Sequence, residues 1–133
     1  MKYQHKDFNV ELKEEIKNTE STLKDHIKRL LKENKSVFAK KNLDFDVGFD
    51  KEGNDPFKPG YSSSVSIGIA DKSGELIDLH IIKIWVCERS LLGMPISKNI
   101  PGSKIIGELL DESVEEVKEE LKEYIKEVLN DVI

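Results

Sequence analysis

The chain has 133 residues, of which 38% are hydrophobic and 35% are charged, and its formal net charge is −5. This length is typical of one domain with a core of its own, so we expect residues 1–133 to form a single domain. The one cysteine excludes an internal disulfide, no stretch reaches the roughly 20 apolar residues of a membrane span, and the N-terminus lacks the apolar run of a signal peptide. We therefore expect a cytoplasmic protein.

A long amphipathic helix is predicted over residues 9–35. Asn9 or Asp7 can begin it, because either side chain can accept a backbone N–H of the first turn. The side chains expected to face the core recur at alternating spacings of four and three residues, which places them on one side of a helix. They are Leu12, Ile16, Thr19, Leu23, Ile27 and Leu30.

Two strands with alternating faces are predicted next, over residues 43–50 and 62–70. In the first strand, the face opposite the apolar side chains carries Asp44, Asp46, Gly48 and Asp50. In the second strand, the corresponding face carries Ser64, Ser66, Gly68 and Ala70. Residues 51–60 are rich in proline and glycine and predict a loop, and residues 71–75 predict a short hairpin loop.

Residues 76–88 form the longest apolar run, and its alternation changes phase. A first set of apolar side chains, on one face, consists of Ile77, Leu79 and Ile81. A second set, on the other face, consists of Ile82, Ile84 and Val86. A β-bulge near Ile81 and Ile82 would turn both sets toward one core, and we favour this interpretation. A central strand covered on both faces is the alternative.

The remaining chain is expected to form a long loop and a second helix. Residues 89–103 contain two prolines and two glycines and predict the loop, and residues 104–110 predict a short edge strand or a helical turn. The helix is expected to begin near residues 111–113, where Ser113 and Glu116 have the spacing of a capping box. Its apolar stripe is Val114, Val117, Leu121, Ile125, Val128 and Val132.

This order of elements predicts an α+β fold. We expect an antiparallel sheet of three to four strands with the N- and C-terminal helices packed on one face. The uncovered face would then carry small and acidic residues, with Asp78 and His80 among them.

The charges are segregated along the chain, and this pattern favours a protein-binding function. Residues 1–41 hold 11 Lys/Arg and 7 Asp/Glu, whereas residues 108–133 hold 3 and 10. An acidic surface without a catalytic motif is typical of proteins that bind a basic partner by electrostatic steering, and bacterial immunity proteins that neutralise toxic nucleases are an example. We predict a non-enzymatic module of the immunity or antitoxin type, with a basic protein such as a toxin domain as its partner. The predicted binding residues are Asp44, Asp46, Asp50, Asp55, Glu116 and Glu120.

Two other functions stay open. A small-ligand binder or an enzyme would have its pocket near the loop at residues 89–103, and the residues expected there are Trp85, Cys87, Arg89 and Met94. A self-associating structural domain would form a homodimer through its helices. Asp78 could orient His80, but Cys87 is an odd number of positions away, so a Cys-His nucleophile is disfavoured. We predict no metal and no cofactor, because the histidines are scattered along the chain. We predict no binding to nucleic acid, because the chain is mostly acidic.

Overall fold

The structure, a computed structural model, describes residues 1–131, so Val132 of the stripe predicted for the second helix lies outside the described residues. The elements in chain order are strand β1 (Lys2–Gln4), a 3-10 turn (His5–Asp7), helix α1 (Val10–Ala39), strands β2 (Leu43–Glu52), β3 (Ser62–Asp71), β4 (Leu76–Leu91), β5 (Met94–Ile96) and β6 (Lys104–Leu109), and helix α2 (Val114–Asp131).

The six strands form one antiparallel sheet in the order β1-β6-β4-β3-β2, and β5 pairs with the end of β4. Both helices lie on the same face of this sheet, which confirms the predicted α+β class. The sheet has more strands than the three to four predicted. The segment predicted as a short edge strand or helical turn is β6, and it lies inside the sheet, because β1 pairs with its outer side.

Helix α1 begins where the sequence predicts and ends later. The Asn9 side chain accepts the Leu12 backbone N–H at 2.8 Å and caps the helix. The helix continues to Ala39 because Phe38 extends the apolar stripe by two further turns, and its fully buried ring stacks on Phe45 of β2 at 4.9 Å between centroids. Within residues 1–131, neither helix combines the length and the apolar character needed to cross a membrane.

Trp85 is the centre of one end of the core. Its side chain is 0% exposed, and its indole N–H donates to the Pro56 carbonyl at 2.6 Å. The rings of Tyr3, Phe8 and Phe57 surround it with centroids 6.1, 5.7 and 6.3 Å away. Strand β4, the N-terminal segment and the loop after β2 are joined through this cluster.

The prediction for the first half of β4 was wrong. The extra residues that shift its register against β3 are Ile77 and Ile84, and no bulge lies between Ile81 and Ile82. Only Ile82 and Ile84 of the second apolar set are buried in the core, whereas Val86 is half-buried and Ile81 is exposed.

Asp78 and His80 also lie on the side opposite to the one predicted. They pair with Ile69 and Ile67 of β3, both fully buried, and directly paired residues share a face of the sheet. Helix α2 satisfies both polar side chains there. The Tyr124 hydroxyl donates to Asp78 at 2.9 Å, and His80 Nε2 lies 2.8 Å from a Glu120 oxygen.

Candidate functional site

The face of the sheet opposite the two helices carries three parallel bands of side chains, and we call it the open face. Strand β2 contributes acidic residues, β3 contributes small residues, and the first half of β4 contributes apolar residues. In this order they are Asp44, Asp46, Gly48 and Asp50, then Ser64, Ser66, Gly68 and Ala70, then Leu76, Leu79 and Ile81, followed by Lys83. Neighbouring strands are about 5 Å apart, so the acidic and apolar bands are about 10 Å apart.

The acidic band consists of exposed carboxylates without ion-pair partners among the described residues. Asp44, Asp46 and Asp50 form no ion pair with any of residues 1–131. Their cross-strand neighbours are Ala70, Gly68 and Ser64, which are too short to cover them. An Asp46 oxygen also accepts the Val47 backbone N–H at 2.9 Å, on the outer edge of β2. The band therefore presents negative charge to solvent.

The apolar band is unusual for a surface strand. Leu76, Leu79 and Ile81 are 56%, 47% and 54% exposed. The first two flank Gly68, where an added Cβ would lie 3.7 and 3.9 Å from their Cδ1 atoms. Large apolar side chains grouped on an exposed face are characteristic of surfaces that bind another molecule. Sequence reasoning placed Leu79 and Ile81 in the core and missed this band.

The other predicted acidic residues do not join the open face. Asp55 lies in the loop after β2, where its side chain accepts the Phe57 backbone N–H at 3.0 Å. Glu116 and Glu120 lie on α2, on the opposite side of the sheet. Glu116 accepts the Ser113 N–H at 3.2 Å in the predicted capping box, and Glu120 contacts His80.

Glu116 and Glu120 instead belong to a second acidic group around His80. Burial raises the pKa of Glu112, and a hydrogen bond to Glu120 and the charges of Glu120 and Glu116 raise it further, whereas His80 lowers it. The His80 ring stacks on Tyr124 with centroids 4.6 Å apart. The acidic surface predicted from sequence is thus divided between the two sides of the sheet.

The predicted pocket near the long loop is only partly assembled. Trp85 and Cys87 are 0% and 1% exposed and belong to the core. Burial, with smaller effects of Asp55 and Glu88, raises the pKa of the Cys87 thiol to about 11, so this thiol is not an activated nucleophile. Met94 is exposed on β5.

Arg89 does line a cavity. Its guanidinium donates to the Asn99 side chain and the Ser103 hydroxyl, both at 3.2 Å. The cavity has a volume of about 410 Å³ and is lined by Gln4, His5, Lys6, Arg89, Ser103, Lys104, Ile105 and Ile106. These residues include three Lys/Arg side chains and no acid, so the cavity is basic.

A groove between the two helices was not predicted. It has a volume of about 420 Å³, and His26 of α1 and Lys118 of α2 are among its lining residues. Neither ring nitrogen of His26 has a hydrogen-bond partner within residues 1–131. Burial lowers the pKa of His26, and Lys118 and Arg29 lower it further, so its neutral form is favoured.

No group of three or more His, Cys, Asp or Glu side chains among residues 1–131 has the arrangement of a metal site. His80 contacts Glu120 and Tyr124, and Cys87 is buried, so the described residues contain no Cys-His nucleophile.

Comparisons with protein-family models, with curated proteins and with solved structures found no match to this chain. A function therefore has to be inferred from the geometry and charge of the surface itself.

Proposed function

We propose that this chain is a non-enzymatic binding protein whose open face docks a basic protein. The observation that supports this most strongly is the placement of three aspartates without ion-pair partners in the described residues, about 10 Å from an exposed apolar band on the same face of the sheet. Interfaces combine an apolar centre with a polar rim, and the open face has both parts. A toxin domain neutralised by an immunity-type protein is the kind of basic partner that this charge suits.

The apolar band contributes part of the affinity. Fully burying a Leu or Ile side chain is worth about 1.5–3 kcal/mol, so covering three half-exposed ones contributes about 2.5–5 kcal/mol. Association costs about 4–15 kcal/mol, so this burial alone does not give stable binding. The partner must therefore supply further contacts, and the aspartates favour a partner with Lys and Arg opposite them. Such charges mainly raise the association rate and select the partner.

A photo-crosslinking amino acid at Ser66 tests the proposal, because Ser66 lies in the middle of the open face. The matched control places the same amino acid at Lys122 of α2, on the helix side. In cells of the source organism, Ser66 is expected to crosslink a protein of high isoelectric point, identified by mass spectrometry, and Lys122 is not. Equal crosslinking from both positions, or an acidic protein captured at Ser66, would contradict the proposal.

The basic cavity at Arg89 supports a second candidate function, which is the binding of a small anion. Its guanidinium is held by two neutral side chains, so its charge is available to a phosphate or carboxylate. Titration with inorganic phosphate and with acetate, followed by NMR, tests this. The control is Lys58→Gln in the loop between β2 and β3, because Lys58 does not line the cavity. Saturable shifts around Ser103 that disappear in Arg89→Gln but persist in Lys58→Gln would support this function. Shifts unchanged by Arg89→Gln would remove it.

A further inference from the structure

The first half of β4 has one edge without a neighbouring strand. Strand β3 pairs with β4 from Leu76 to Val86 on one edge, but β6 pairs on the other edge only from Trp85 to Ser90. The chain leaves that edge where the Leu110 N–H donates to the Ile84 carbonyl at 2.9 Å. Within residues 1–131, the edge of β4 over residues 76–83 therefore has no strand partner.

The backbone groups that point outward from this edge can be identified. The Leu79 N–H donates to the side chain of Asp78 at 3.0 Å, so it points away from β3. Alternate residues of a strand point their N–H and C=O groups to the same edge, so Ile81 and Lys83 also present theirs outward. Exposed edges of this kind can accept a strand from another chain.

The two sides of this edge have different chemistry. On the open face, the edge is bordered by Leu79 and Ile81, which are about half exposed. On the helix side, α2 lies above it and contacts Asp78 and His80.

The side of α2 near this edge is acidic. The residues of α2 that line the groove between the two helices lie on the side of α2 that faces α1. The helical period of 3.6 residues places Glu116, Glu120 and Glu127 on the side that faces away from α1. Glu112 lies close enough to Glu120 and Glu116 for their charges to raise its pKa, so it adds a fourth carboxylate to this side of α2.

We propose that the free edge of β4 accepts an extended segment of the partner in which apolar and basic side chains alternate. The added strand would bond to the outward backbone groups of Ile81 and Lys83 and to the outward carbonyl of Leu79, because the Leu79 N–H already donates to Asp78. Because its side chains alternate between the two faces, every second one would extend the apolar band and the others would lie under the carboxylates of α2. The inference that the partner is a basic protein rests on the proposed function, and the edge specifies how that protein is held.

A synthetic peptide of about nine residues, in which lysine and valine alternate, is the probe for this site. One control peptide has the same composition with its lysines and valines in two separate blocks, and another has glutamate in place of lysine. Fluorescence anisotropy measures the dissociation constants, and NMR of the labelled protein shows which backbone amides shift. The alternating peptide is expected to bind at least about tenfold more tightly than either control, with the largest shifts at the amides of Ile81 and Lys83.

Ile81→Pro is the decisive variant, because it removes an outward N–H from the free edge. Lys51→Pro is its control on the outer edge of β2. On that edge the Val47 N–H points away from β3. The Lys51 N–H points the same way, because Lys51 lies four residues further along the same strand. Ile81→Pro is expected to weaken binding of the alternating peptide by about tenfold, and Lys51→Pro is expected to leave it unchanged. If Ile81→Pro fails to fold, Glu116→Gln with Glu127→Gln is the second variant, and it is expected to weaken binding severalfold.

Equal binding of the alternating and block peptides, or full binding by Ile81→Pro, would overturn the proposal. If Ser66 still crosslinks a basic protein in that case, the proposed function of the open face stands and only the edge site is lost. If the peptide binds at the edge and Ser66 crosslinks nothing, the edge site stands and the docking function of the open face is lost.

Discussion

Gly107→Ala is expected to destabilise the fold severely, because this glycine lies against the ring of Trp85. A Cβ at position 107 would lie 2.1 Å from Trp85 Cη2 and 2.4 Å from Cζ2. Ordinary carbon contacts are about 3.5–4.0 Å, so the ring would have to withdraw by more than about 1 Å. The ring cannot do so freely, because its N–H is bonded to Pro56 and aromatic rings enclose it. Overpacking of this kind costs about 1–3 kcal/mol, and we expect the upper end of this range.

Urea denaturation measures this cost. Trp85 is the only tryptophan of the chain and reports on unfolding by fluorescence, and circular dichroism gives an independent signal. The control is Gly68→Ala on β3, where the new methyl group would make only ordinary contacts with Leu76 and Leu79. The control is expected to change the free energy of unfolding by less than about 0.5 kcal/mol. An equally small effect of Gly107→Ala would refute the described packing of Trp85 against β6.

Two further predictions concern buried polar groups. Tyr61→Phe removes the hydroxyl that donates to the buried Glu20 carboxylate at 2.6 Å, and it is expected to lower the free energy of unfolding by about 1–3 kcal/mol in urea denaturation. Glu20→Gln keeps an acceptor for the hydroxyl and is the comparison. If Tyr61→Phe lowers the free energy of unfolding by no more than Glu20→Gln does, this prediction is contradicted. For His26, the pKa is lowered in the folded state by burial, Lys118 and Arg29, so the unfolded chain binds its proton more readily. The stability of the wild type is therefore expected to fall as the pH drops below about 6.5, and His26→Leu should reduce that fall in thermal unfolding measured over the same pH range. Identical pH profiles of the two proteins would show that His26 is not held neutral between the helices.

Local signals in the sequence were sufficient for most of the fold. Asn9 caps α1 and the Ser113–Glu116 capping box begins α2, because caps depend on residues only three positions apart. The alternation of β2 and β3 also gave their faces correctly, since each strand has one apolar and one small or acidic set. Strands β1 and β5 were not predicted, because three residues are too few to show a period.

The face of β4 could not be predicted from local alternation. Its register is set by the long-range pairs with β3, and its polar residues on the helix side are satisfied by Tyr124 and Glu120 of α2. Without those partners, Asp78 and His80 look like surface residues, and the neighbouring Leu79 and Ile81 look like core residues. The exposed apolar band, which is central to the proposed function, was therefore assigned to the interior.

The candidate sites were predicted in part. The aspartates of β2 lie on the uncovered face as expected, because alternation places them there whatever covers the other side. The cavity at Arg89 draws its other residues from segments near positions 4–6 and 103–106, and no local pattern connects these segments. Whether either site binds a partner stays a prediction.

The most direct test of the central claim is the association rate between the purified chain and the basic protein crosslinked at Ser66. It would be measured by surface plasmon resonance at about 50 mM and about 500 mM salt. The test variant replaces the acidic band with asparagine at Asp44, Asp46 and Asp50. The control variant makes the same change in net charge on α2, with glutamine at Glu115, Glu119 and Glu123. We predict that the test variant associates at least about tenfold more slowly at low salt and loses most of the salt dependence, while the control stays within about threefold of the wild type. Equal rates for the two variants would contradict the claim that the acidic band of the open face recognises the partner.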